Sequence, residues 1–308
     1  MTGCKGQRWI CMVMGAGLTG ALAAWVAGVG LSSLDGPGAT GRAPVAEGGG
    51  AQARFSRVIT FTPALTEIVC AIGAGETLVG RGSFVTFPPE VFHLPVVGGI
   101  VDPNLEVIRA LRPDLVLAQG DVPHLRDLCD RMGAHLAVLE IETIEEIYRA
   151  IEEVGWLLKR RASARVLTHR IGLDLALIEE EACRRSPRPV FICVGRQLGG
   201  TSRLWTVGPG SFLHELVTLA GGDNVFGDLP TSYHEVSAEE VVRRAPRAIL
   251  DIMPRGVGSV SGGVSVWEHL FGTPGPVVVV ITGDYVLYPG PRISLVARQV
   301  VDALAGDE

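Results

Sequence analysis

No proline occurs between Pro123 and Pro187, and over the 44 residues from Thr143 to Ser186 only Gly155 and Gly172 weaken a run suited to helix. Proline costs a helix interior about 3 kcal/mol and glycine about 1 kcal/mol, so this stretch is held to helix along almost its whole length. Thr143 followed by Glu146 forms a capping box that starts a first helix, Ile144 to about Leu158. In the second piece, about Ala162 to Arg185, Leu167, Ile171, Leu175, Ile178 and Ala182 recur at three- and four-residue spacing and draw one apolar stripe. At 1.5 Å per residue that piece is roughly 36 Å long, whereas crossover helices within one sheet usually run about 10 to 15 residues. The expectation is a rigid strut joining two bodies. Residues 55–158 then form a first α/β lobe, 159–186 the connecting helix and 187–308 a second α/β lobe.

The flanks of the strut repeat each other. Asn104-Leu-Glu-Val-Ile-Arg-Ala-Leu-Arg-Pro113-Asp-Leu-Val-Leu117 aligns without gaps on Ser237-Ala-Glu-Glu-Val-Val-Arg-Arg-Ala-Pro246-Arg-Ala-Ile-Leu250, with Glu106 opposite Glu239. Thr66 to Gly75 resembles His214 to Gly222 in the same order. Two matches in one order point to duplicated α/β lobes. Each lobe alternates strands with helices, which predicts mainly parallel sheets covered on both faces. The first lobe reads as strands Val58 to Phe61, Leu78-Val79, Val96-Val97, Leu115 to Ala118 and Leu136 to Leu139; the second reads as Val190 to Val194, Ala248 to Asp251 and Val277 to Ile281.

A net charge of -6 gives no basic footprint for nucleic acid, and that class of partner drops out. At the N-terminus, Lys5 and Arg8 precede a run without charge from Trp9 to Leu34, followed by an Ala/Gly/Pro-rich segment from Asp35 to Gln52. Residues 1–34 therefore read as a signal peptide or as a retained anchor through residues 9–34, with 35–54 a flexible linker and the rest outside the cytoplasm. Ala21-Leu22-Ala23 and Ala51-Gln52-Ala53 both fit a cleavage rule, so both alternatives stand. Gly15-Ala-Gly17-Leu-Thr-Gly20 has neither a preceding strand nor a following acidic residue and is no dinucleotide fingerprint. Beyond this segment lie Cys70, Cys129, Cys183 and Cys193, whose spacing matches no zinc site. Buried thiols or one disulfide account for them.

In open α/β sheets ligands bind beyond the carboxyl ends of the strands. The loops at those ends are Arg81 to Phe87, Gly98 to Asp102 and Gln119-Gly120 in the first lobe. In the second they are Gly195 to Trp205, Ser232 to His234, Met253 to Arg255 and Asp284 to Tyr288. Phe84, Phe87, Trp205, Tyr233, Tyr285 and Tyr288 suit a large flat or apolar ligand, and Arg81, Arg196, Arg203 and Arg255 suit its carboxylates or phosphates. No GxSxG, HExxH, P-loop or CxxC motif occurs, and no intrinsic cofactor or metal site is expected. His234, beside Tyr233, is the one weak candidate for an axial ligand to a bound metal. Glu106 and Glu239 each follow a helix-capping residue by two positions, at equivalent places in the two lobes. That duplication reads as two acidic knobs able to meet basic pockets on a two-fold partner.

Several motifs together carry a family resemblance. They are Arg57-Val-Ile-Thr-Phe-Thr-Pro-Ala-Leu-Thr-Glu67, Leu94-Pro-Val-Val-Gly-Gly99, Pro103-Asn-Leu-Glu106, Arg112-Pro-Asp-Leu-Val-Leu117, Gly208-Pro-Gly-Ser-Phe212, Ala220-Gly-Gly-Asp-Asn-Val225 and Pro289-Gly-Pro-Arg292. From about Arg57 to Leu304 the chain closely resembles the periplasmic binding proteins of vitamin B12 and iron-chelate ABC importers. The resemblance implies two Rossmann-like lobes bridged by one long helix, a ligand held between them and little hinge closure. It also implies docking of Glu106 and Glu239 on arginines of the permease dimer. Corrinoid-binding members place aromatics at positions corresponding to Phe84, Ile100, Gln119, Val194 and Tyr233, of which only the first and last are aromatic here. A corrinoid, haem, a ferric siderophore or another metal chelate all remain open as the bound ligand. The alternatives from other classes are a chelatase-like tetrapyrrole enzyme and a membrane-tethered ligand sensor.

Overall fold

The chain is so rich in Val and Ile where strands are expected, and caps enough of its helices with Thr, Ser or Asn, that its elements form largely where the pattern puts them. The computed structural model describes residues 55–120, 122–196, 203–254, 261–272 and 274–306; the expected export segment, the linker and Arg255 lie outside them. In the first lobe β1 (Val58–Thr60), β2 (Leu78–Arg81), β3 (Leu115–Ala118) and β4 (His135–Val138) lie in the order β2-β1-β3-β4, every pair parallel. Parallel neighbours need crossovers, and α1 (Pro63–Ala71), α2 (Leu105–Leu111) and α3 (Pro123–Met132) supply them. Thr62 caps α1 by accepting from the Leu65 N–H with Pro63 in the first turn, and Asn104 caps α2 by accepting from the Val107 N–H. Ile59, Val116, Ile108, Leu125 and Leu128 pack into a core of aliphatic side chains.

The proline-free stretch forms α4 (Ile144–Leu157), with the Thr143–Glu146 capping box in place, and α5 (Arg161–Ala182), 22 residues or about 33 Å long. The two helices part at Lys159, whose φ is 54°. Gly155 is a packing contact rather than a weak point: a Cβ there would lie 2.4 Å from the Ala164 Cβ, so only glycine lets the two helices approach. Along α5 the buried residues are Ala164, Ile171, Leu175, Ile178 and Ala182, largely the expected stripe. Among the described residues no helix is long and apolar enough to cross a membrane.

The second lobe contains β5 (Arg188–Arg196), β6 (Leu204–Val207), β7 (Gly222–Asn224), β8 (Tyr233–Val236), β9 (Ala248–Pro254) and β10 (Val277–Gly283). With them stand α6 (Phe212–Leu219), α7 (Ala238–Arg243), α8 (Ser261–Phe271) and α9 (Ile293–Ala305). The sheet order is β10-β9-β5-β6-β8, with β7 paired to β5. Pairs β9/β10, β5/β9 and β5/β7 are parallel, whereas β5/β6 and β6/β8 are antiparallel. Strands β6 to β8 and helix α8 are absent from the sequence expectation, which placed Trp205 and Tyr233-His234 in loops. The physical reason is that β6 and β8 mix apolar with polar residues and so lack the continuous apolar run that marks the buried parallel strands; they gain their order by extending an existing sheet edge. Phe191, Phe226 and the fully buried Trp267 form the core, with ring centroids 5.6 and 5.8 Å from Phe191. Both sheets belong to one compact unit from Arg54 to Glu308.

Candidate functional site

Register decides what the second lobe presents. Across the β6/β8 ladder Trp205 faces Glu235 and Val207 faces Tyr233, so Arg203, Trp205, Tyr233 and Glu235 share one face while Leu204 and Val236 pack on the core. Trp205 and Tyr233 are each 44% exposed. With Val194 and Gly195 at the end of β5, Leu213 on α6 and Leu287 before α9, they line a cavity of about 350 Å³. Burial raises the Tyr233 phenol, and the neighbouring Glu142 raises it further; its hydroxyl also bonds Ser211.

Glu142 ties this wall to the first lobe. Its carboxylate accepts from Gln119 Nε2 at 3.3 Å, beyond the end of β3, and its backbone carbonyl accepts from the Phe212 N–H at 2.6 Å. One turn on, the Ile144 N–H donates to Glu215 Oε2 at 2.7 Å. On the opposite flank the Arg292 guanidinium forks onto Glu67 of α1 at 2.6 and 2.9 Å and reaches Asp284 at 3.1 Å. It lies 3.9 Å from the Phe87 ring centre and 4.8 Å from that of Tyr285. Burial pushes the Glu67 carboxyl up more strongly than Arg292 lowers it. The lobes are thus joined by a charge sandwiched between one ring from each.

The arginines expected to greet an anionic ligand are already engaged. Arg196 is buried, its Nε 3.0 Å from Asp251, which also accepts from Trp267 Nε1 at 3.1 Å. Arg203 forks onto Glu235 at 2.8 and 2.7 Å. Arg81 donates to the Val85 and Phe92 carbonyls at 3.2 and 3.5 Å, with its guanidinium 5.7 Å from the Phe92 ring centre. Among the aromatics, Phe84 is 67% exposed, close to Gly99 in the first lobe. Tyr285 accepts from Gln299 Nε2 at 2.5 Å. Tyr288 lies beside the Arg292 cluster, where burial, then Asp284 and Glu67, raise its phenol.

His234 alternates away from Tyr233 along β8, and its Nε2 accepts from the Thr231 N–H at 3.2 Å and contacts Thr231 Oγ1 at 2.6 Å. Among the described residues no cluster of three or more His, Cys, Asp or Glu is placed to hold a metal ion. Glu106 and Glu239 are both exposed in the first turns of α2 and α7, whose caps Asn104 and Ser237 each accept from a backbone N–H three residues on. Cys70, Cys129 and Cys193 are free, and burial first of all pushes their thiols up to about 11, 11 and 12. Glu142, Leu213, Glu235 and Arg292 are not among the residues singled out from the sequence, and Leu287 is there only as part of the loop Asp284 to Tyr288. Of these, Arg292 carried a visible signal, in Pro289-Gly-Pro-Arg292; Glu235 could have been found from the alternation Tyr233-His-Glu-Val236.

A family model described as Periplasmic binding protein matches residues 58–256. The vitamin B12-binding protein of Salmonella typhimurium is 31% identical over 251 residues, covering 81% of this chain and 90% of that protein. The vitamin B12-binding protein of Pectobacterium atrosepticum is 29% identical over 256 residues, covering 81% and 88%. Among solved structures, the periplasmic vitamin B12 binding protein of Vibrio cholerae superposes with a TM-score of 0.66 at 23% identity, over 82% of this chain and 97% of that one. The periplasmic haem binding protein of the same organism gives 0.71 at 18% identity, over 80% and 98%. Those two likenesses speak to the fold, which is the α/β architecture with two sheets described above.

Proposed function

This chain belongs to the periplasmic binding protein family, a family of binding proteins rather than enzymes, and from that premise we propose that it is an extracytoplasmic receptor for a metal chelate. A corrinoid is the first choice of ligand and an iron chelate such as haem or a ferric siderophore the second. The chelate is held in the cleft between the lobes and handed unchanged to an ABC importer. The observation that carries this reading is the β6/β8 face, where two large aromatic side chains stay half exposed above a cavity instead of joining the Trp267 core. Solvent-facing rings are costly to leave bare, and a flat macrocycle covers them. Two vitamin B12-binding proteins, 31% and 29% identical over 81% of this chain, put the corrinoid ahead. Glu106 and Glu239 serve as the docking pair, each projecting from the first turn of equivalent helices toward arginines of a permease dimer.

The test is to titrate the protein with cyanocobalamin, haemin and a ferric hydroxamate while following tryptophan fluorescence and thermal melting. At a hundredfold excess over Kd a specific ligand adds about 2.7 kcal/mol, which corresponds to roughly 5 °C or more in Tm. Cyanocobalamin is expected to give that shift; silence from all three would end the proposal. In a reconstituted importer, Glu106→Ala with Glu239→Ala keeps ligand affinity and loses uptake. Undiminished uptake would remove the docking assignment.

A further inference from the structure

The charges around the cavity carry the reading of the cleft one step further, to the charge of its ligand. On the β6/β8 face Arg203 and Glu235 form a two-pronged pair, and Glu235 sits directly across the ladder from Trp205. Their side chains are 67% and 38% exposed, so the pair lies on the surface that a ligand stacked on Trp205 would touch. Behind that face Arg196 is cancelled by Asp251, and at its edge the Glu142 carboxylate neighbours the Tyr233 hydroxyl. Among the described residues the wall therefore offers no surplus positive charge, and its two nearest unburied acids point the balance the other way. A ligand carboxylate approaching Trp205 must compete with Glu235 for Arg203 and bear the repulsion of Glu142.

Resting on the proposed chelate-binding cleft, we infer that Glu235 is a specificity-determining residue: by occupying Arg203 it turns away chelates that carry free carboxylates and leaves uncharged ones unaffected. The pair acts as a filter because both partners are wetted; a buried pair would be a structural brace, as Arg196 and Asp251 are.

Haemin and its dimethyl ester differ only in whether two carboxylates are free, so their affinity ratio reads the filter directly, with cyanocobalamin as the carboxylate-free reference. Wild-type protein is expected to prefer the ester, with the preference shrinking as ionic strength rises. Glu235→Gln releases Arg203 and should shift the haemin-to-ester affinity ratio about fivefold toward haemin, the scale of an exposed charge pair. Arg203→Gln, which leaves Glu235 uncompensated, should shift the same ratio toward the ester. Adding Arg203→Gln to Glu235→Gln should erase the gain. A wild type that binds both forms but whose acid-to-ester ratio is unmoved by either substitution sinks the inference alone. A wild type that binds none of the three probes sinks it together with the cleft reading.

Discussion

The two sheets of the molecule are built differently. The first is parallel throughout, with a mainly aliphatic core around Ile59 and Val116. The second keeps a parallel framework in β5, β9 and β10 but adds antiparallel β6 and β8 at one edge, over an aromatic core of Phe191, Phe226 and Trp267. A parallel strand is committed on both faces to covering helices; an antiparallel edge ribbon has one face to spare. That spare face is where Trp205 and Tyr233 stand. The parallel strands form the framework, and the antiparallel pair adds a face with rings left exposed.

The sharpest way to break this contrast is through the cores. Trp267→Ala empties a site that also holds Asp251 against Arg196 and should cost about 3 to 5 kcal/mol. Leu115→Ala in the first sheet falls in the broader range of about 2 to 5 kcal/mol. Urea unfolding followed by circular dichroism compares them. A Trp267→Ala loss below about 2 kcal/mol would show that the aromatic core is not what anchors the added strands. Where the lobes still match, they should respond alike: Asn104→Ala and Ser237→Ala each remove one helix cap and should each cost about 1 kcal/mol. A clear inequality in the same melts would mean that α2 and α7 have lost their equivalence.

The smallest effect belongs to the second lobe alone. Asn224 Nδ2 donates to the Val207 carbonyl at 2.8 Å and lies 3.0 Å from His214 Nδ1, which suits a neutral imidazole, and burial holds His214 below its usual 6.5. Below that pH the unfolded chain takes up a proton that the folded one resists. Stability is then full above pH 6.5 and declines as pH falls beneath it. His214→Leu should flatten that slope in a pH series of melts, and an unchanged slope would clear His214 of the effect.

What the sequence made legible was what repeats or is capped locally: the Thr143–Glu146 box, the stripe from Ile171 to Ala182, the paired caps at Asn104 and Ser237. Each signal lies within one turn or one periodic run. The partners of the arginines were hidden because they are remote in sequence. Arg196 meets Asp251 across 55 positions, Arg203 meets Glu235 across 32, and Arg292 meets Glu67 across 225. No window along the chain contains both members of such a pair. The wall of the cavity was hidden for a related reason, since β6 and β8 each span four residues and are held by neighbours rather than by propensity.

Arg292 has one consequence for traffic through the cleft. A guanidinium gripped by two carboxylates and flanked by a ring from either lobe makes gaping expensive, since pulling it free of Glu67 strands a buried charge at a cost of about 3 kcal/mol or more. Thermal agitation alone then rarely springs the rivet. In the transport role proposed above, unloading would then fall to a partner able to grasp both halves and prise.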